Sequence, residues 1–277
     1  MRRTIKTPVT LKGIGLHSGA PVSVRLFPSD SGLRVRRGGH EFSASWENVR
    51  PARLCTLLAS PTDPSISLST VEHLMAGLAV SGVTDVMIEV IGPEVPILDG
   101  SAKPFLEGLR DAGFEDIHGA RPKLIITTPV HYQDGDAVAS LLPAPRFRAE
   151  FGIDFSHPKI GAQSVAYDPS EDDFFVDFAG ARTFCMEDDV RRMKASGLAL
   201  GGSMNNAVVF GESGVLNPEG LRFTDEPVRH KLLDALGDLH LAGAEIVGRF
   251  VGHKSGHLMT NMLLRAAFSG DAARLAA

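Results

Sequence analysis

Apolar and polar positions alternate along three stretches near the start of the chain, TIKTPVTLKGIGL, PVSVRLFPS and LRVRR. A period of two, bounded by Gly, Pro and Ser, marks short strands with one face on a core. A second strand-rich stretch opens at KLIITTPVHY and continues through AVASLLPA and RFRAEFGIDF. Elsewhere the period lengthens to that of a helix, at residues 69–80, 102–111, 187–196 and 228–242. Strands followed by helices, twice over, predict an α+β protein of two similar halves.

Internal comparison carries this further. The segment VEHLMAGLAVSGVTDVMIEVIG opens on Val-x-His, closes its helix at Ser-Gly and runs into a strand. The segment VRHKLLDALGDLHLAGAEIVGRFVG does the same, closing at Ala-Gly. From His73 to Gly82 the first helix is shorter than the second, from His230 to Gly243, by roughly one turn. As a duplication this divides the chain into α+β domains at 1–120 and 121–277, joined near 119–122. His73 and His230 then fall at matching places, with a site expected between the halves.

Composition narrows the function classes. A chain of 277 residues, 43% hydrophobic and 22% charged, is long enough for one large or two small globular domains. Its net charge of -5 argues against a general nucleic-acid binder, which shows a basic surplus. Cys55 and Cys185 are too few for a disulfide framework, so a reducing compartment is expected. No apolar run approaches the ~18 residues of a membrane span. The opening MRRTIKTPVTLKGIGLHSG has the basic residues of a signal peptide without its apolar stretch, so the expected location is the cytoplasm.

The chemistry concentrates on two helices and one loop. His230 and Asp234 are four apart, so they share a helical face and can hold one ion; Asp238 continues that face. Alone, this pattern reads more readily as a solvated polar stripe than as a metal site. His73, in the first turn of the other helix, would complete two histidines and a carboxylate, a common catalytic zinc set with a fourth position for water. The competing reading of His73 is a hydrogen-bonded core histidine. Glu72 has a specific rival role, since Ser69-x-x-Glu72 is a capping box in which the glutamate only closes the helix start. In GHKSGH, His253 and His257 bracket a turn after a strand; such a histidine suits proton transfer, or is simply a surface residue. Lys231 and Lys254 are open to phosphate contact or solvation, and both cysteines read as packing residues.

Together these motifs resemble the UDP-3-O-acyl-N-acetylglucosamine deacetylases, the zinc amidases of lipid A biosynthesis. The matching stretches, in the family's order from residue 13 to residue 257, are GIGLHSG, LCTLL, STVEHLMAGL, PEVPILDGSAKPF, DFSHP, ARTF, LGGSMNNAVVF, LNPEGLRF, DEPVRHKLLDALGDL and HKSGH. The resemblance implies two layered α+β domains with the active site between them, and hydrolysis of the N-acetyl group of an acylated UDP-amino sugar. It implies zinc on His73, His230 and Asp234, with Glu72 as general base. His257 then protonates the leaving amine or stabilises charge, Asp238 orients that histidine, and Thr183 helps to hold the oxyanion. Lys231, Phe155, Phe184 and Gly202 match substrate-contacting positions. Residues 184–206 correspond to an inserted βαβ unit that forms an apolar passage for the fatty acyl chain. Two places depart from the family's pattern: Cys185 and Met186 replace a glycine and an aromatic, and His253 replaces an aromatic. These departures bear on the acyl passage and the packing at the nucleotide, not on the metal chemistry.

Two rivals make different predictions. Another zinc amidase or peptidase would need no nucleotide, and the chain lacks the His-Glu-x-x-His of ordinary metallopeptidases. A non-catalytic nucleotide- or RNA-binding module would hold no stoichiometric metal, and the acidic balance counts against RNA.

Overall fold

Polar–apolar alternation builds the first sheet as expected. In Pro21–Pro28, Val22, Val24 and Leu26 are buried while Arg25 faces solvent. The computed structural model, described over residues 1–276, contains two five-stranded sheets of the same design. The first runs in space Val9–Ile14, Pro21–Pro28, Val86–Ile91, Leu33–Arg37 and His40–Ser43. The second runs Val130–Asp134, Ala137–Leu142, Arg249–His253, Arg148–Asp154 and Ala162–Tyr167. In both, the third strand pairs parallel with the fourth, and every other pairing is antiparallel.

The equivalence extends to the breaks. TIKTPVTLKGIGL forms two strands rather than one, Arg2–Ile5 and Val9–Ile14, which lie in different sheets. KLIITTPVHY divides in the same way into Lys123–Ile126 and Val130–Asp134. Each break falls at Thr-Pro-Val, Thr7-Pro8-Val9 and Thr128-Pro129-Val130. Proline lacks the N–H that a continuous ladder needs, so the chain changes sheets there.

Six helices complete the fold: α1 Glu72–Val80, α2 Lys103–Ala112, α3 Phe174–Asp177, α4 Glu187–Ala195, α5 Glu226–His240 and α6 His257–Ser269. α1 and α2 flank the third spatial strand of the first sheet in sequence, as α5 and α6 flank that of the second. The result is a two-domain α+β architecture with the helices meeting between the sheets. α1 starts at Glu72, three residues later than its periodicity suggests, because Ser67–Leu68 is a strand and Thr70 has a left-handed backbone at φ 58°. α6 was not expected. It has no side-chain N-cap and follows the Gly-rich HKSGH turn, which hid its start.

Phe184–Met186 runs parallel to Val208–Gly211, with the exposed helix α4 between them, so the βαβ unit closes beyond residue 206.

The two halves join chiefly through α1 against α5, the most extensive pairing of elements in the fold. α1 is buried almost all round, from Glu72 through Leu78. The approach is close enough that a Cβ on Gly237 of α5 would lie 2.0 Å from the Glu72 carbonyl oxygen and 3.0 Å from the Ala76 nitrogen. Gly→Ala within a helix ordinarily stabilises by about 0.5–1 kcal/mol. Gly237→Ala is expected to reverse that sign and to cost at least about 1–3 kcal/mol, the usual penalty for overpacking. Urea unfolding checks this, and a stabilised variant would show that the helices separate freely.

Candidate metal centre and active site

A buried carboxylate needs hydrogen bonds or a cation, and Asp234 has only half of what it needs. Its Oδ2 accepts a hydrogen bond from Lys231 Nζ at 3.0 Å. Its Oδ1 is buried and takes no hydrogen bond among the described residues. That oxygen lies 3.3 Å from His230 Nε2 and 3.5 Å from His73 Nε2. The two imidazoles meet edge-on, their centroids 4.9 Å apart. One ligand atom from each residue, all within 4.8 Å of one another, forms a trio suited to a metal ion.

Protonation favours the same reading. His230 Nδ1 is 3.0 Å from the Ala181 carbonyl, which can only accept, so Nδ1 carries the hydrogen and the Nε2 lone pair faces Asp234. Burial, against the pull of Asp234, pushes His230 down to about 4, which keeps the ring neutral. Burial opposes charge on Asp234 as well, but His230 and Lys231 hold its carboxyl well below the usual range. Neutral imidazoles and an ionised carboxylate are the metal-binding forms. The donor set therefore fits a divalent cation.

The rest of the cluster closes around this trio. Glu72 is the first residue of α1, whose cap is Val71 with no side-chain bond. Its Oε2 accepts from the Thr56 backbone N–H at 3.0 Å, and not from Ser69, so the capping-box reading fails. Its Oε1 faces His257 Nε2 at 4.0 Å. Burial raises the Glu72 carboxyl against the pull of His257 and His73. His257 Nδ1 is 2.8 Å from Asp238 Oδ2, and Asp238 Oδ1 accepts from the Thr56 hydroxyl at 2.5 Å. Burial works against a charged His257, but Asp238 and then Glu72 outweigh it and push the ring up to about 9. It is therefore an imidazolium at neutral pH. His257 opens α6 and is not a surface-loop residue.

Thr183 belongs to a strip fastened on all sides. Its N–H donates to the Gly100 carbonyl at 2.8 Å, and its carbonyl accepts from Val208 N–H at 2.8 Å. Its neighbour Arg182 is fully buried against Glu226, the first residue of α5, with both the Arg182 backbone N and Nε 2.9 Å from Glu226 Oε1. A buried ion pair of this kind is costly to break, and it ties residues 181–183 to the helix that carries His230 and Asp234. Arg182 and Glu226 stand within ARTF and DEPVRH, yet nothing in either motif says that the two meet.

The remaining expected residues make contacts of their own, outside the cluster. Phe155 is partly exposed and meets Phe184 edge-on at 5.4 Å; Phe184 in turn meets Phe210 at 6.2 Å. Gly202 lies in the turn after Ala199, beside Leu16. His253 is exposed at the end of its strand and, among the described residues, makes no hydrogen bond to the cluster. Burial raises the thiols of Cys55 and Cys185 to about 12 and about 11, as befits packing residues. Thr56, within LCTLL, was missed because a threonine among apolar residues reads as strand.

Three protein donors leave none in reserve, so His73→Ala, His230→Ala and Asp234→Ala are each expected to lose tightly bound metal. His253→Ala keeps it. Metal analysis of the purified variants checks this, and full occupancy in any of the first three removes that residue from the set.

Comparison with known proteins agrees with this geometry. The family described as LpxC: UDP-3-O-acyl N-acetylglycosamine deacetylase matches residues 2–269. Proteins named UDP-3-O-acyl-N-acetylglucosamine deacetylase from Shewanella pealeana, Shewanella piezotolerans and Shewanella halifaxensis are each 44% identical over 273 residues. Each alignment covers 96% of this chain and 89% of the relative. With the site's residues contributed by α1, α5 and α6 of a duplicated α+β fold, the chain belongs to the UDP-3-O-acyl-N-acetylglucosamine deacetylase family.

Proposed function

We propose that this protein uses zinc to hydrolyse the N-acetyl group of a UDP-3-O-acyl-N-acetylglucosamine, releasing acetate at the committing step of lipid A synthesis. The observation that carries the reading is the convergence of Glu72, His73, His230, Asp234, Asp238 and His257 on one buried cluster, in a member of this family. His73, His230 and Asp234 would hold the ion. Zinc in such a set acts as a Lewis acid toward the carbonyl and makes water acidic enough to attack near neutral pH.

The chain's own groups account for the proton movements. Glu72 has one oxygen held by Thr56 and the other facing the cluster, so it takes the proton of the attacking water. Thr183, on its pinned strip, donates its hydroxyl to the carbonyl oxygen as that atom gains charge. His257, charged and steadied by Asp238, gives a proton to the departing nitrogen. Lys231 spends one of its three N–H donors on Asp234 and has two for a substrate phosphate.

Phe155, Phe184 and Gly202 are assigned to substrate contact, and residues 184–206 to a passage for the acyl chain. Exposed Leu200 and Met204, within residues 184–206, support that passage, since solvent-facing apolar groups suit a lipid chain. The domain division is assigned to 119–122, between the strand Phe114–Ile117 that returns to the N-terminus and the opening of the second half at Lys123. The assigned location is the cytoplasm, which agrees with two unpaired cysteines; no described helix is long and apolar enough to cross a membrane.

Acetate release from the UDP-sugar by zinc-loaded protein tests the reading directly. Glu72→Gln keeps size and the Thr56 contact but cannot take a proton. Turnover should fall about 10²–10⁴-fold with fold and zinc retained. Near-wild-type turnover in the folded, zinc-loaded variant would assign the base elsewhere.

His257 gives a sign for pH. Its folded pKa of about 9 lies above the ordinary value of 6.5. The stabilisation from its charge is therefore complete below the ordinary value and is lost as pH rises through about 9. Activity should decline over the same upper range, as the acid is lost. His257→Gln should cut kcat severely, leave zinc in place and abolish that alkaline limb; a substantially active variant with the limb unchanged contradicts the assignment.

A further inference from the structure

We propose that Thr56 is a positioning residue that holds the base and the acid of this site in one fixed relation. The inference rests on the roles given above to Glu72 and His257. Thr56 is 2% exposed and sits at the joint between the buried Cys55 and the short strand Leu57–Ala59. Just before it, Leu54 adopts a left-handed backbone at φ 65°, a conformation that costs a branched side chain energy and turns the chain sharply. The turn presents two different donors of Thr56 to two different helices. Its backbone N–H meets Glu72 Oε2 of α1 at 3.0 Å, and its hydroxyl meets Asp238 Oδ1 of α5 at 2.5 Å.

The direction of the second bond follows from chemistry. The Thr56 hydroxyl donates to Asp238 Oδ1, while Oδ2 lies 2.8 Å from His257 Nδ1, so both oxygens of the carboxyl are engaged. With Oδ1 tethered, the carboxylate cannot rotate, and Oδ2 stays in line with the imidazole. The ring is then aimed so that Nε2 lies 4.0 Å from Glu72 Oε1, itself held through Oε2 by the same residue. One residue of the first half thus sets the distance between the proton acceptor and the proton donor. Among the described residues its hydrogen bonds run to Glu72 and Asp238 and to no metal-binding candidate, so it acts through those two carboxylates.

Thr56→Val keeps the shape and the backbone donor and removes the hydroxyl alone. Outer partners of this kind are typically worth about 10–100-fold in activity, and that loss is expected in kcat with KM changed less than about twofold and zinc retained. Thr56→Ser should restore kcat. In an Asp238→Ala background the valine should bring no further loss, since the two act through one bond. The proton NMR signal of His257 Nδ1–H, far downfield through its bond to Asp238, should move upfield in Thr56→Val and return in Thr56→Ser. If valine lowers the melting temperature, Thr56→Ala, which adds no volume, carries the same expectations. Wild-type kcat with an unmoved resonance, or an equal additional loss in the Asp238→Ala background, overturns the role of Thr56. A zinc-loaded wild type that releases no acetate instead overturns the reading of the site on which it rests.

Discussion

The close crossing of α1 over α5 is the constraint on which the site depends. Gly237 leaves no Cβ between the helices, so the backbone of Glu72 comes down onto α5. Glu72 and His73 are thereby carried into a buried layer with His230, Asp234 and Asp238. Burying ionisable groups costs several kcal/mol each unless partners compensate. Lys231, Thr56 and His257 supply part of that compensation, and Asp234 Oδ1 takes no hydrogen bond among the described residues. A cation held by His73, His230 and Asp234 would satisfy that oxygen, so under the proposed function the folding demand and the catalytic demand would meet there.

Duplication explains how such a centre arises, and asymmetry explains how it works. The two sheets share strand order and pairing sense, and each half changes sheets at Thr-Pro-Val. Equivalent elements carry different chemistry. α1 brings Glu72 and His73, α5 brings His230, Asp234 and Asp238, and α6 brings His257, whereas α2 brings no member of the cluster. The βαβ insert belongs to the second half alone, so the space around the shared centre is enclosed unequally.

Around the charged cluster lies a shell whose work is geometric. Arg182 and Glu226 pair out of solvent and lock the strip that bears Thr183 to the start of α5. The Ala181 carbonyl on that strip sets the tautomer of His230. Gly100, at φ 83°, passes the Asn206 carbonyl so closely that a Cβ would lie 2.0 Å from it, and its own carbonyl holds Thr183. Loss of any of these would move a reacting group without touching it.

Much of this was legible in one dimension because it is local. Alternation at two identified the strands that open each half, and helical spacing identified α1, α2, α4 and α5. The i,i+4 spacing of His230 and Asp234 put both on one face, and the repeated Val-x-His segments located the partner histidine. Motif resemblance extended this to Glu72, His257, Asp238 and Thr183. What remained hidden depends on contacts between distant residues. Ser69 and Glu72 satisfy a capping pattern, and only the donation from Thr56, sixteen positions upstream, shows the carboxylate turned away from the helix start. His257 reads as a loop histidine until α6 forms and Asp238 comes within 2.8 Å. Arg182 finds Glu226 across 44 residues, and Thr56 finds Asp238 across 182. Sequence periodicity reports which face of an element is buried; which two faces meet, and which oxygen is left without a partner when they do, is decided only when the halves pack.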